Sequence, residues 1–310
     1  MKTNYSSYLG PLMRGLFTLP LALAVVLVLW TMLGIAQGQI YEANFGNNTV
    51  GKYDLSGATV NASLVSAGLS APYGIAVSGT DLYVSSQFGN RIGKYTTLGT
   101  TVNLSLVTGL GGPKGIALFG GYLFVVNSAS GSIGEYTTSG ATVNASLVTG
   151  LNGPFAIAAS GGFLFVTNYN NGTVGKYDST SGAAINAALI TGLSSPDGIA
   201  VSDDGADLYI SSFNGGNVGK YTTAGATVNA SLITGLNFPE GLALSGTNLY
   251  VPNASGTIGL YSTSGGTVNA ALITGVYSAA IAVVPEPSTW AMLAMGAGST
   301  LAFRYRRGRA

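Results

Sequence analysis

The sequence predicts an all-β protein: a six-bladed β-propeller with four-stranded blades and a split closing blade. Three observations predict this fold. A unit of about 41 residues recurs five times between residues 70 and 276. Each unit contains four short runs rich in β-branched and aromatic residues. No helical periodicity interrupts residues 38 to 284. Four short strands at this period are typical of a propeller blade.

Within each unit the order of the predicted strands is the same. A proline precedes a Gly-Ile-Ala strand, which is followed by a Leu-Tyr-Val strand, a Gly-Lys-Tyr strand and an Asn-Ala-Ser-Leu-Val-Thr-Gly-Leu strand. Turns such as Ser130-Gly131 and Asn171-Gly172 separate the runs, at positions where a positive φ is tolerated. The five units cover residues 70–110, 111–151, 152–193, 194–236 and 237–276.

The sixth blade is predicted to be assembled from both ends of the folded body. Residues 38–69 supply only three strands, expected at 40–44, 49–54 and 62–69. The missing Gly-Ile-Ala strand is replaced by residues 280–283, so Ile281 should pair with the strand that contains Tyr41. Such a blade removes the two unpaired strand edges that an open array would expose.

Composition excludes several classes of function. Cysteine and histidine are absent, which excludes disulfides and thiolate chemistry and removes the commonest general base and metal ligand. Residues 37–284 carry six basic and ten acidic side chains, a net charge of −4. Because a nucleic-acid partner requires a basic face, we expect none. Charged residues make up only 7% of the chain, a composition typical of exported proteins.

The N-terminal segment is interpreted as a signal peptide covering residues 1–36. Lys2 and Arg14 precede an apolar run at 16–35, which predicts a signal helix. The small residues Gly34 and Ala36 then indicate a signal-peptidase site after Ala36. The alternative is an uncleaved membrane anchor, since the run approaches the length that spans a bilayer. Both interpretations place the propeller, residues 37–284, outside the cytoplasm.

The C-terminal segment, residues 285–310, has three parts in a fixed order. Pro285, Glu286 and Pro287 precede a short apolar stretch at 291–303 and an arginine cluster at 304–309. This segment resembles the PEP-CTERM sorting tail of Gram-negative bacteria. The resemblance implies a short transmembrane helix and processing by an exosortase near Pro-Glu-Pro. It also implies delivery to the cell surface or an exopolysaccharide layer. The alternative is a permanent C-terminal membrane anchor.

The repeated Pro-x-Gly-Ile-Ala, Leu-Tyr-Val and Gly-Lys-Tyr runs of residues 38–284 resemble those of NHL-type six-bladed propellers. Members of that group range from binding modules to lactonases and lyases. The resemblance therefore implies a fold without implying an activity.

Comparison of the repeats separates structural positions from candidate functional ones. Positions that recur are expected to be structural: the lysine of Gly-Lys-Tyr at the blade surface, and the asparagine of Val-Asn-Ala-Ser in a turn or strand-edge hydrogen bond. The position after the conserved proline differs in every unit and should line one mouth of the central channel. The predicted ligand-binding residues are Tyr73, Lys114, Phe155, Asp197 and Glu240, with Ala279 at the equivalent place in the split blade.

Two functions are compatible with this mouth. In a binding module, Tyr73 and Phe155 would stack on a sugar ring while acids and amides bond its hydroxyl groups. In a calcium-dependent lactonase of the gluconolactonase type, Ca²⁺ would be held by oxygen ligands. The metal ligands in that alternative are Asp197, Glu240, Asn168 and Asn253. A third possibility is that these side chains are solvated and bind nothing. Streptogramin-lyase-like chemistry is disfavoured because no histidine is present.

The interpretation favoured by the sequence is an exported, exosortase-sorted and non-catalytic binding or scaffold protein, associated with exopolysaccharide. We expect a monomer without a cofactor. Signal peptidase and exosortase would act during export, when the C-terminal helix contacts the membrane. A polysaccharide or another surface ligand would be the lasting partner.

Overall fold

The computed structural model of this protein describes residues 38–285. These residues form 24 β-strands in six antiparallel sheets of four strands each, with no helix among them. The predicted six-bladed propeller is therefore confirmed. The predicted signal helix, the transmembrane helix and the residues Glu286 and Pro287 lie outside the described residues. Within 38–285, the structure contains no helix long and apolar enough to cross a membrane.

The six sheets follow the chain in order and are numbered as blades. Blade 1 contains β24 (Ser278–Val284), β1 (Gln39–Asn44), β2 (Thr49–Asp54) and β3 (Thr59–Val65). Blade 2 contains β4 (Pro72–Ser78), β5 (Asp81–Ser86), β6 (Arg91–Thr96) and β7 (Thr101–Thr108). Blade 3 contains β8 (Pro113–Phe119), β9 (Tyr122–Asn127), β10 (Ser132–Thr137) and β11 (Thr142–Val148).

The other half of the ring repeats this arrangement. Blade 4 contains β12 (Pro154–Ser160), β13 (Phe163–Asn168), β14 (Thr173–Asp178) and β15 (Ala184–Ile190). Blade 5 contains β16 (Pro196–Val201), β17 (Asp207–Ser212), β18 (Asn217–Thr222) and β19 (Thr227–Ile233). Blade 6 contains β20 (Ala243–Ser245), β21 (Asn248–Asn253), β22 (Thr257–Ser262) and β23 (Thr267–Thr274).

The split blade closes the ring as the sequence predicts. Strand β24 pairs with β1, with Tyr41 opposite Ala282 and Glu42 opposite Ile281. The first strand of each blade contacts the first strand of the next, and β20 of blade 6 contacts β24. The inner strands therefore form an unbroken circle around the channel.

The fourth strand of blade 1 differs from its predicted limits of 62–69. It begins earlier, at Thr59, and ends at Val65, because the chain then turns at Gly68 with a φ of 73°. The predicted asparagine hydrogen bond is confirmed in this strand: the side-chain oxygen of Asn61 accepts the N–H of Ser63. The same bond occurs at the equivalent asparagine of every blade: Asn103, Asn144, Asn186, Asn229 and Asn269.

The hydrophobic core lies in slices between neighbouring blades, as expected for a repeat architecture. Successive side chains of the second strand point to opposite faces of the sheet. Leu82 and Val84 therefore pack with Tyr41 and Ala43 of blade 1, whereas Tyr83 packs with Leu123 of blade 3. Both faces of a blade are therefore covered by its neighbours, which leaves the ends of the strands as the places where a ligand site can form.

Candidate ligand-binding site

A β-bulge at the start of the first strand carries the predicted mouth residues. In blade 2, Pro72 lies opposite Ser86 and Ile75 opposite Val84, so Tyr73 and Gly74 together oppose the single residue Ser85. Bulges re-aim side chains and are common beside functional sites. Equivalent register shifts occur after Pro113, Pro154 and Pro196. The bulge explains why the residue after each of these prolines departs from the strand ladder.

A glycine after the mouth residue permits neighbouring blades to approach closely. A Cβ atom added to Gly198 would lie 2.7 Å from the carbonyl oxygen of Glu240 in the next blade. A side chain at this position would therefore separate the two inner strands. The Gly of Pro-x-Gly-Ile-Ala consequently serves the packing of the ring and leaves the preceding residue free to vary.

Three buried hydroxyl groups hold the backbone of the charged mouth residues. The side chain of Ser85 donates to the carbonyl of Lys114 (2.7 Å), and that of Thr167 donates to the carbonyl of Asp197 (3.0 Å). Ser211 donates in the same way to the carbonyl of Glu240. Each hydroxyl also accepts a backbone N–H of its own blade: that of Gly74, Ala156 or Gly198.

The remaining blades lack this hydroxyl at the equivalent position, where Ala43, Val126 and Pro252 stand. The mouth residues that follow them are the uncharged Tyr73, Phe155 and Ala279. The sequence analysis missed this pairing of an upstream hydroxyl with a charged mouth residue. Aligning the second strands of all six blades would have revealed it.

The mouth opens into a cavity of about 270 Å³ that is lined mainly by aromatic rings. Four of the five predicted ligand-binding residues are in its wall, and the rings of Phe155 and Tyr169 stack at 4.6 Å. Further ring contacts continue from Tyr73 to Phe45 at 6.1 Å and from Tyr169 to Phe213 at 6.2 Å. The lining residues are Phe45, Tyr73, Phe155, Tyr169, Asp197, Phe213, Glu240, Ala254, Tyr277 and Ala279.

Lys114, the fifth predicted residue, is buried against the aromatic rings of the cavity wall. Its Nζ lies 2.9 Å from the ring centroid of Phe155 and 4.7 Å from that of Tyr73. These are cation–π contacts. Burial lowers the pKa of Lys114 to about 8, against the opposing influence of Asp197 and Glu240. The structure therefore brings all five predicted residues together at one place.

The two carboxyl groups of the mouth are held in a poorly solvated environment. Burial, and next the charge of Glu240, raise the pKa of Asp197 well above its usual range. Burial likewise raises the pKa of Glu240 to about 7, while Lys114 opposes the shift. The pKa of Tyr73 is also raised well above its usual value, first by burial and then by Asp197.

The asparagines proposed as metal ligands lie apart from this cavity. Asn168 is buried and donates to Thr173 of its own blade, and Asn253 donates to the carbonyl of Val251. Neither lines the cavity that contains Asp197 and Glu240. No group of three or more acidic side chains that could hold a metal ion occurs within residues 38–285. Two carboxyl groups in the cavity wall supply too few oxygen ligands for Ca²⁺, which prefers six to eight.

The sequence analysis did not identify most of the aromatic wall. Phe45, Tyr169 and Phe213 follow the second strand of their blades, and Tyr277 precedes Ser278, which stands at the place of the conserved proline. Both positions hold different residues in different repeats, as does the position after the conserved proline. Testing every variable column near the ends of the strands would have found them.

Comparison with family models identifies the chain. The virginiamycin B lyase family matches residues 31–211, and the protein belongs to that family. The PEP-CTERM protein-sorting motif matches residues 283–307, which assigns the chain to exosortase-dependent export and sorting to the cell surface. A search of curated proteins finds no match to this sequence.

Solved structures share the fold at low sequence identity. A nidogen/laminin complex matches with a TM-score of 0.68 and 16% identity, over 79% of this chain and 98% of that chain. An inactive virginiamycin B lyase variant from Staphylococcus aureus, solved with quinupristin, matches at 0.56 and 22%, over 69% and 73% of the two chains. A gluconolactonase from Xanthomonas campestris matches at 0.59 and 15%, over 68% and 79%. These similarities establish the propeller fold alone.

Proposed function

We propose that this protein is an exported, non-catalytic binding protein that holds a saccharide of the cell-surface polysaccharide at the mouth of its channel. The observation that carries the proposal is the cavity lined by six aromatic rings, with the buried carboxyl group of Asp197 and the half-buried carboxyl group of Glu240 in the same wall. Cavities with apolar, aromatic walls and a few polar groups are typical of small-ligand sites. The PEP-CTERM motif supports the location, because such sorting delivers the propeller to the surface.

The outer rings of the cavity are better placed for stacking than the two that the sequence suggested. The rings of Tyr73 and Phe155 contact each other edge-on at 5.6 Å and pack against Lys114. Phe45 and Tyr277 are 40% and 59% exposed. The positively polarised C–H groups of a sugar ring can pack on the negative face of such rings. We therefore assign stacking to Phe45 and Tyr277, and orientation of the sugar to Asp197 and Glu240.

A lyase activity is not part of this proposal, although the family includes lyases. In the Staphylococcus aureus relative, the variant described as catalytically inactive has alanine in place of a histidine. The present sequence contains no histidine, so a histidine cannot act as general acid or base here. We therefore propose that this member of the family keeps the propeller and the cavity for binding.

The proposal is tested by probing a glycan array with the full-length protein, purified in detergent, and with two ring variants. Phe45→Ala removes a ring that is 40% exposed at the cavity. Tyr122→Ala removes one that is 39% exposed at the start of β9, the end of the blade away from the mouth. We expect Phe45→Ala to weaken binding about tenfold, the equivalent of ~1.4 kcal/mol, and Tyr122→Ala to leave it unchanged. Absence of any array signal, or equal losses in both variants, contradicts the proposal.

A further inference from the structure

The carboxyl groups at the mouth differ from most other acidic side chains because they lack partners. Within residues 38–285, the ion pairs are Lys94–Asp81 and Lys220–Asp207. The carboxylates of Asp54, Asp178 and Asp204 accept hydrogen bonds in turns. By contrast, the carboxyl groups of Asp197 and Glu240 make no hydrogen bond and no ion pair within the described part of the chain.

Burial makes this lack of partners costly. Asp197 is only 2% exposed, and an uncompensated charge in such a place is strongly unfavourable. Lys114 supplies one positive charge against two carboxyl groups and forms an ion pair with neither within residues 38–285. The wall of the cavity therefore has an excess of negative charge when its groups are ionised. A second cation would supply the missing partner.

The aromatic wall already accommodates one primary ammonium group. Lys114 places its Nζ over the rings of Phe155 and Tyr73. Four further rings surround the same cavity as the two carboxyl groups: Phe45, Tyr169, Phe213 and Tyr277. Aromatic faces attract ammonium groups by a quadrupole interaction that strengthens on desolvation. The chemistry that holds Lys114 is thus available to an ammonium group that enters from outside.

We propose that the saccharide bound at the mouth carries a free, positively charged amino group, which binds between the carboxyl groups of Asp197 and Glu240 and the aromatic wall. This inference rests on the proposed saccharide-binding function and specifies its ligand class. An acidic saccharide would offer no cation to the two carboxyl groups and would meet the net charge of −4 on residues 37–284. Like charges brought together in this way oppose binding.

The test compares three oligosaccharides of equal length by titration calorimetry with the full-length protein at pH 6.5. Glucosamine oligomers carry free amines, N-acetylglucosamine oligomers have the same backbone without the charge, and galacturonate oligomers are anionic. We expect the amine form to bind at least tenfold more tightly than the N-acetyl form, and the galacturonate form to show no binding. In Asp197→Asn/Glu240→Gln the ratio of the two affinities should fall to about twofold or less.

Two controls separate this inference from the function on which it rests. Asp81→Asn removes an acidic group at the other end of a blade and should leave the amine preference unchanged. Equal binding of the amine and N-acetyl forms by the wild type, with loss in Phe45→Ala, overturns the amine inference and leaves saccharide binding intact. Failure of every saccharide to bind overturns the proposed function itself. If the double variant does not fold, Glu240→Gln alone replaces it.

Proton release provides a second measurement that needs no variant. Burial raises the pKa of Glu240 to about 7, so this carboxyl group is partly protonated at neutral pH. A bound ammonium group stabilises the ionised form and therefore displaces protons. Calorimetry at pH 5.5, where the amino groups of the ligand and the carboxyl group of Glu240 are both protonated before binding, in two buffers with different ionisation enthalpies should show proton release with the amine form and none with the N-acetyl form. Equal proton exchange with both forms overturns the inference.

Discussion

The charged side chains at the two ends of the blades have opposite surroundings. At the end away from the mouth, Asp81 lies 2.8 Å from Lys94, and Asp207 lies 2.7 Å from Lys220. These pairs are partly exposed, and the hydrogen bond that Lys94 donates to Asp81 raises the pKa of Lys94. Their geometry recurs because Asp81 and Asp207 begin the second strand of their blades.

At the mouth, Lys114 and Asp197 are buried and Glu240 is half-buried, and none of the three forms an ion pair within residues 38–285. Lys114, Asp197 and Glu240 occur once each in a column that differs in every blade, and burial shifts the pKa of each toward its neutral form. The aspartates at the start of the second strands are paired with lysines of the same blade. The charged groups of the cavity have no such partner, so no ion pair offsets the free-energy cost of removing them from water. A ligand of opposite charge can offset that cost.

Glu42 extends this comparison into the core and gives the largest expected effect on stability. It is fully buried, at the position where the other blades have Val84, Val125, Val166, Ile210 and Val251. Its Oε1 accepts a weak hydrogen bond from Asn44 (3.4 Å), and its Oε2 has no partner within residues 38–285. Burial raises the pKa of Glu42 to about 7. Burial, and next the charge of Glu42, raise the pKa of Tyr53 to about 12.

We expect Glu42→Val to stabilise the protein by about 3 kcal/mol at pH 8 and much less at pH 4.5. The folded state binds the proton of Glu42 more tightly than the unfolded state. The contribution of this bound proton to the free energy of unfolding is therefore complete below the unfolded pKa near 4.5 and is lost as the pH rises through about 7. Urea unfolding of both proteins at the two pH values measures the difference. A gain of equal size at pH 4.5 and pH 8 would show that packing, rather than charge, is responsible.

The hydroxyl groups behind the charged mouth residues give the next largest effect. We expect Ser211→Ala to destabilise the protein by about 2 kcal/mol, because the carbonyl of Glu240 and the N–H of Gly198 both lose a buried partner. The control is Ser255→Ala, which removes a hydroxyl that is hydrogen-bonded to Thr257 at an exposed site and should cost less than about 0.5 kcal/mol. Urea unfolding at pH 7 compares the two. Similar losses in both variants would contradict a special role for the bridge between blades.

The exposed ion pairs should give the smallest effect. We expect Asp81→Asn to cost less than about 1 kcal/mol, since Asp81 remains partly exposed and water screens the pair. The cost should shrink further in 1 M salt, where the screening length is about 3 Å. Unfolding in low and high salt tests this. A cost above that of Ser211→Ala would overturn the contrast between the two ends of the blades.

The fold was predictable because its information is local and repeated. Strand patterns such as Gly-Ile-Ala and Leu-Tyr-Val recur at one period, and the missing strand at 280–283 required only that the ring close. The variable position after the conserved proline, occupied first by Tyr73, could also be recognised as a candidate site. A position that varies among otherwise similar repeats is not constrained by the packing of the blade. The residues at this position, from Tyr73 to Glu240, do converge at one cavity.

The contents of the cavity could not be predicted in the same way. The direction of a side chain at a strand end depends on the bulge and on contacts with the next blade, neither of which is encoded within one repeat. Asn168 resembled a mouth residue in sequence, yet it bonds to Thr173 inside its own blade. Phe45 and Tyr277 are 232 positions apart in the chain and share one wall only because the ring closes.

The sequence by itself determined the six-bladed architecture, the split closing blade, the sorting tail and the ring of variable positions, because each depends on short motifs and their spacing. Only the tertiary structure decided that Lys114 packs on aromatic rings rather than pairing with Asp197 or Glu240. It also decided that Asp197 is buried and Glu240 half-buried, with no hydrogen-bond or ion-pair partner for either carboxyl group within residues 38–285. The physical reason is that burial and pairing arise from contacts between distant blades. These contacts set the electrostatic character of the mouth.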